Sequence, residues 1–266
     1  VDEWRTGITT SDDSNIWIYG HGVPTLMREA TFTDTVFLLH RGRLPLAHER
    51  RLFDAMLVAV ADHGPGSPSA AASRIVATGN RAAPEAAVAA GLLAVGDMHA
   101  GAGLACFTVI ASAIDRADRE SRSLLDMARV VAAETKADGR RLPGLGHRTH
   151  SQDPRTVVLL QLARELGAAG RGVEFITALE SAVRESIKPL PVNIDGAMAA
   201  VLYDLQFSAV MAKFMFMIGR VAGLTAQVNE EYTRERPMRI RIPVTYDGPE
   251  PHEPAAQTAN AGETEA

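Results

Sequence analysis

A single cysteine, Cys106, occurs in the chain, so no intrachain disulfide can form and a zinc site built on several thiolates is excluded. Long apolar runs are missing as well. The best candidate for a membrane span, Phe207 to Leu224, is interrupted by Lys213 and Arg220, both costly at a bilayer centre. The opening residues, VDEWRTGITTSDDS, are acidic and polar and lack the apolar core of a signal peptide. A basic surplus is absent too: the net charge of −5 argues against nucleic acid as a main partner. No GxSxG, P-loop or HExxH motif is found. These absences lead to the expectation of a cytoplasmic protein that binds neither membrane nor nucleic acid.

Strand signals are scarce. Only Ile16 to Val23 and Met238 to Val244 carry the alternation or β-branching of short strands. Most of the remainder reads as helix, predicted over Thr33–His40, Leu46–Asp62, Pro84–Val95, Leu104–Ile114, Arg116–Lys136, Pro154–Leu166, Val173–Ile187, Asp195–Leu205 and Phe207–Leu224. Pro84–Val95 is apolar nearly all round, as a helix in a core or a subunit interface would be. From Asp247 the composition turns to Pro, Glu, Ala and Thr without periodicity, which predicts a disordered tail.

Four short segments carry candidate chemistry. GLGHRTHSQDPR, from Gly144, places His147 on a glycine-flanked loop, where an imidazole can titrate near neutral pH. Asp153 and Pro154 then open a helix whose first turn holds Arg155. Read alone, a polar loop between helices is the competing reading. VADHGPG puts His63 after an apolar helix, where it can instead complement the helix dipole.

GDMHAGAG sets His99 among small residues. It fails as a dinucleotide fingerprint because Cys106 stands where the third glycine belongs, and a plain helix junction is the alternative. PVNIDGA places Asp195 at a helix start, where an ordinary N-cap is the competing reading. Arg220 lies in the apolar run FMFMIGRVAG, and a guanidinium there needs an anion from protein or ligand. His147 and His150 have no carboxylate at metal-ligand spacing, so no metal is expected.

Taken in order, ADHG, GDMHAGA, GLGHR…DPR, NID and FMIGR resemble the motifs of the citrate synthase superfamily. The resemblance extends through IYGHGVPTLMREATFTDTVFLLHRGRLP and covers about Ile16 to Gly248. ADHGP and GDMHAGA look closer to the citryl-CoA lyase module of ATP-citrate lyases: Gly64 stands where citrate synthases usually carry Glu. The length, short for a citrate synthase, fits stand-alone citryl-CoA lyases. Ala100 departs from the glycine often found there, which bears on the shape of the thioester pocket.

The resemblance implies an all-α, two-domain helical fold acting as a homodimer. Residues 1–103 and 201–246 would form a large domain, 104–200 a smaller mobile one, and 247–266 the tail. It implies that Asp195 moves the proton at the thioester α-carbon and that His99 donates to the enolate oxygen. His147 would exchange a proton with the oxo or hydroxyl oxygen, while His63, Arg155 and Arg220 hold the multi-carboxylate acid.

The implied reaction is cleavage of citryl-CoA, or a close 3-hydroxy-3-carboxyacyl-CoA, to acetyl-CoA and oxaloacetate. Condensation by a citrate or 2-methylcitrate synthase is the alternative, and a non-catalytic CoA- and citrate-binding relative is a third. Partners would be an acyl-CoA and a di- or tricarboxylic acid, with no cofactor beyond the coenzyme A thioester itself. Removing residues 249–266 is expected to leave the melting temperature and turnover unchanged, checked by thermal unfolding and assay of the truncated chain.

Overall fold

The computed structural model describes residues 3–146 and 152–250. His147, His150 and the tail from residue 251 onward lie outside the described residues. Eleven helices and one small sheet make up the described chain, an all-α architecture. The sheet is an antiparallel three-stranded ribbon near the N-terminus, β1 (Thr9–Ser11), β2 (Ile16–Ile18) and β3 (His21–Gly22). Trp17 faces Thr10 on one side and Gly22 on the other. The short helix α1 (Val23–Glu29), unanticipated from sequence, follows directly.

α2 (Phe32–Arg41) opens with a capping box between Thr31 and Asp34 and stops at Gly42 in the left-handed region. α3 (Ala47–Val60) buries Leu52, Phe53, Met56 and Val60 along one stripe. Phe37, Phe53 and Phe207 pack together with centroids 5.4–5.6 Å apart.

α4 (Pro68–Gly79) is absent from the sequence reading, and its composition explains why. Its buried stripe, Ser69, Ala70, Ser73, Arg74, Ala77 and Thr78, has helical spacing but is small or polar, so it leaves no hydrophobic periodicity. The stripe lies against α5 (Pro84–Leu93) and the long C-terminal helix α11 (Met211–Arg234). A Cβ on Gly91 of α5 would meet the Ser69 carbonyl at 2.8 Å. Within the single chain α5 is not covered on all sides: only Ala87 and Gly91 are buried, and Leu93 is 86% exposed.

Two helices expected to divide at Asp115 are divided later. α6 (Ala102–Arg119) continues because Cys106, Phe107, Ile110, Ala113, Ile114 and Ala117 form an unbroken buried face. The break comes at Ser121, with φ of 50°, before Ser123 caps α7 (Leu124–Ala137) by accepting from Asp126 N–H. α8 (Pro154–Glu165) and α9 (Arg171–Ser186) then pack around α10 (Ile194–Asp204). α10 is buried continuously from Gly196 to Leu202 and is the axis of the core.

The strand expected over Met238–Val244 does not form among the described residues. Met238 and Arg239 donate their N–H groups to the Thr78 carbonyl and hydroxyl, beside helices that offer no strand edge. Arg239 and Arg74 both engage Glu231, which is fully buried on α11.

α11 crosses α3 closely because Gly219 and Gly223 present no Cβ. At Gly219 a methyl would lie 2.6 Å from Val60 Cγ2, and at Gly223 it would run into the Ala61 carbonyl. Intrinsic helix propensity favours Gly223→Ala by about 1 kcal/mol. The backbone collision outweighs it, so a net loss of about 1–3 kcal/mol is expected, the cost of overpacking a close contact. Thermal unfolding of Gly223→Ala beside the exposed control Ala222→Ser tests this.

Candidate active site

A cavity of about 520 Å³ opens where α3 ends and α10 begins. Its walls include His63, His99, Asp195, Arg155 and Arg220, five of the six residues singled out from sequence. The sixth, His147, lies outside the described residues.

The two arginines are set by one helix end. The last carbonyls of an α-helix have no partner within the helix and carry partial negative charge. At the end of α3, Ala59 O accepts from Arg155 Nη1 at 3.2 Å and Val60 O from Arg220 Nε at 2.9 Å. His63 follows three residues after Val60 and faces the cavity. The intervening turn is held by Asp62, which accepts from Gly64 N–H at 3.0 Å and Gln227 Nε2 at 3.2 Å.

Arg220 was expected to need an anion, yet among the described residues no carboxylate pairs with it. Its partners are neutral: Val60 O, Ser69 Oγ at 3.1 Å, and the face of Phe216, 4.5 Å from its Cζ. Burial lowers its pKa below the ordinary arginine value, with Arg155 adding to the effect and Asp62 and Asp195 opposing it. A buried cation that lines a cavity and pairs with no carboxylate is a ready site for an anionic ligand.

Arg155 is anchored differently. Asp153, 1% exposed, accepts from Arg155 Nε at 3.0 Å and Nη2 at 2.9 Å, and from Arg155 N–H as the cap of α8. Its Oδ2 also accepts from Ile194 N–H, the first residue of α10, at 3.2 Å. One carboxylate thus joins an arginine, the start of α8 and the start of α10.

Asn193, not Asp195, caps α10, accepting from Gly196 N–H at 3.2 Å. Asp195 therefore sits inside the first turn and is not needed as a cap. Burial raises its pKa above the ordinary carboxylate value and Asp153 adds to this, while Arg155 and Arg220 pull the other way. The Gly144–Gly146 loop is clamped beside it by Asn193 N–H to Gly144 O and Gly146 N–H to Pro191 O, at 3.0 and 2.7 Å. Gly144, with φ of 81°, is in a conformation that favours glycine.

His99 lies beyond α5 on a turn closed by Gly96 N–H to His99 O at 2.9 Å. Its Nε2 is 3.0 Å from Ser69 Oγ, and its ring meets Phe216 edge-to-face at 5.4 Å. Ser69, Phe216, Asn193 and the second role of Asp153 went unrecognised in the sequence. Each works through a contact between segments far apart in the chain, which no local motif records. Cys106, behind the Gly144 loop, is inert: burial, with Asp195 nearby, pushes its thiol up to about 12. Among the described residues no three His, Cys, Asp or Glu side chains converge as a metal would require.

Residues 45–241 match the family model "Citrate synthase, C-terminal domain". The fold is similar to that of citryl-CoA lyase from Hydrogenobacter thermophilus, with 36% identity and a TM-score of 0.85 over 94% of this chain and 96% of that one. Citrate synthase of Helicobacter pylori is 30% identical over 201 residues, 71% of this chain and 44% of the relative. Citrate/2-methylcitrate synthase of Bacillus subtilis is 25% identical over 228 residues, 84% and 58% respectively. The chain spans about half the length of these two curated relatives.

Asp153 also implies a pH dependence. Burial alone would raise its pKa, but the Arg155 guanidinium and the Arg155 and Ile194 amides outweigh it and hold the carboxyl below the ordinary 3.8. A carboxylate lowered on folding contributes stability that is full above its unfolded value and lost as pH falls through the lowered folded one. Asp153→Asn is expected to cost about 1.5–3 kcal/mol at neutral pH, the range for hydrogen bonds to a charged group. It should also flatten the acid limb of stability against pH, read by denaturant unfolding between pH 7 and 3.

Proposed function

The chain belongs to the citrate synthase family, and we propose that it is a citryl-CoA lyase, releasing acetyl-CoA and oxaloacetate from citryl-CoA or a close 3-hydroxy-3-carboxyacyl-CoA. The observation that carries this reading is the meeting of Asp195, His99, Arg155 and Arg220 in one cavity. A proton carrier, an oxyanion donor and two carboxylate holders are the parts such a cleavage needs.

In the proposed reaction, His147 takes the proton of the tertiary hydroxyl. The bond between that carbon and the thioester α-carbon breaks, and its electron pair forms the thioester enolate. The former hydroxyl oxygen becomes the oxaloacetate carbonyl. His99 donates a hydrogen bond to the enolate oxygen, and Asp195 delivers a proton to the α-carbon. In this direction Asp195 must start protonated, and its raised pKa favours that state. Arg155 and Arg220, with His63, hold the carboxylates. Two guanidiniums fixed by the end of α3 give the acid a set orientation before the bond breaks.

The same proposal includes a large unit from residues 1–103 and 201–246, a smaller one from 104–200, and pairing of two copies. Cavity walls drawn from both parts support the division: His63, His99 and Arg220 from the first, Arg155 and Asp195 from the second. The apolar face exposed on α5 supports the pairing. The likeness to the Bacillus subtilis enzyme favours a second reading, condensation of an acyl-CoA with oxaloacetate. Release of oxaloacetate from citryl-CoA, compared with net formation of free citrate, separates the two.

Asp195→Asn is the decisive variant. Because Asn193 is the cap, folding should be unchanged. Turnover of citryl-CoA should fall about 10²–10⁴-fold, the range of general acid–base catalysis. A variant that cleaves citryl-CoA like the wild type would overturn the assignment.

A further inference from the structure

The turn after α3 lays Asp62 across Gly223 of α11, where a methyl would lie 3.0 Å from both the Cβ and the Oδ1 of Asp62. Gly223 follows Arg220 by three residues and precedes Gln227 by four, so the three share one face of the helix. The Asp62 carboxylate thus sits between a cation one turn earlier and an amide one turn later. A guanidinium is the stronger partner for a carboxylate. Asp62 is exposed, so a swing toward Arg220 needs no repacking of the core. Burial lowers the pKa of Arg220, and Asp62 opposes this more strongly than Asp195 does.

The carboxylate nevertheless turns the other way. It accepts from Gln227 Nε2 at 3.4 and 3.2 Å and from Gly64 N–H at 3.0 Å. The orientation of the Gln227 amide is fixed from its far end. Arg74 Nη1 lies 2.7 Å from Gln227 Oε1, and a guanidinium only donates, so the carbonyl end belongs to Arg74 and the NH₂ end to Asp62. Arg74 is held in turn by Glu230 and Glu231, at 2.7 and 3.0 Å. A Glu at position 227 would accept from Arg74 and repel Asp62, and a Lys would do the reverse. The amide meets both demands.

We infer that Gln227 is a positioning residue that holds the Asp62 carboxylate away from Arg220 and so keeps that guanidinium open to the acid substrate. A carboxylate tethered two residues beyond Val60, whose carbonyl Arg220 already binds, would otherwise be a resident competitor for the ligand. The inference rests on the reading above in taking Arg220 as a carboxylate holder.

The test is citrate binding to the full chain by titration calorimetry, without CoA. Gln227→Leu should weaken citrate about 10–100-fold, the range for one hydrogen bond to a charged group. Gln227→Glu, which preserves the bond from Arg74, should weaken it similarly. Adding Asp62→Asn to Gln227→Leu should restore binding to within about threefold of wild type, because Asn still accepts from Gly64 N–H but brings no charge to Arg220. A crystal structure of Gln227→Leu should show Asp62 against the Arg220 guanidinium.

Unchanged citrate affinity in Gln227→Leu would overturn the inference. So would a loss that Asp62→Asn does not restore, since that marks simple damage to the turn, or a wild-type protein that binds no citrate. If the wild type binds citrate but does not cleave citryl-CoA, the proposed reaction fails while these measurements still decide the role of Gln227.

Discussion

Two guanidiniums bonded to the last carbonyls of one helix organise this molecule around its cavity. α3 ends at Val60, and its free carbonyls would otherwise need water or a cap. Arg155 and Arg220 take two consecutive ones, Ala59 O and Val60 O, from helices remote in sequence. The arrangement satisfies backbone acceptors and fixes two cations side by side without spending a carboxylate on each. Asp153 compensates Arg155, while Arg220 meets neutral partners and is the more available of the two to an anion.

Close helix approach makes this possible. Gly219 and Gly223 let α11 lie against the end of α3, and Gly91 lets α5 lie against Ser69. Small residues at these crossings exchange apolar contact area for short backbone distances, and buried polar side chains then reach their partners. The stripe on α4 is the clearest case: Ser69 serves the cavity, Arg74 serves buried Glu231, and Thr78 holds the segment that follows α11. A Leu-rich helix in this place would bury more apolar surface and lose all three connections.

Asp153 ties Asp195, the proposed acid–base residue, to the same frame. It binds Arg155 and the first amide of α10, so a shift of α8 is passed to the helix turn that carries Asp195. Asp195, freed from capping by Asn193, is exposed to burial and to unequal neighbours, and its pKa rises. That combination of a rigid backbone and a perturbed carboxyl fits the proposed proton transfer to carbon.

Read by itself, the sequence established the helical class, most helix positions and five cavity residues, because these rest on local signals. Apolar periodicity marks α3, α6 and α9, and Asp153-Pro154 marks the start of α8. The ordered motifs brought His63, His99, Arg155, Asp195 and Arg220 into one list before any geometry was known, and the cavity contains them all. Tertiary structure alone decided the rest. α4 was invisible because its buried stripe is not apolar, and Met238–Val244 lost its strand because helices offer no edge to pair with. The Asn193 cap, the neutral surroundings of Arg220 and the place of Ser69 between Arg220 and His99 are contacts between distant segments. Local patterning determines which face of a helix is buried; only packing determines which polar atom meets which.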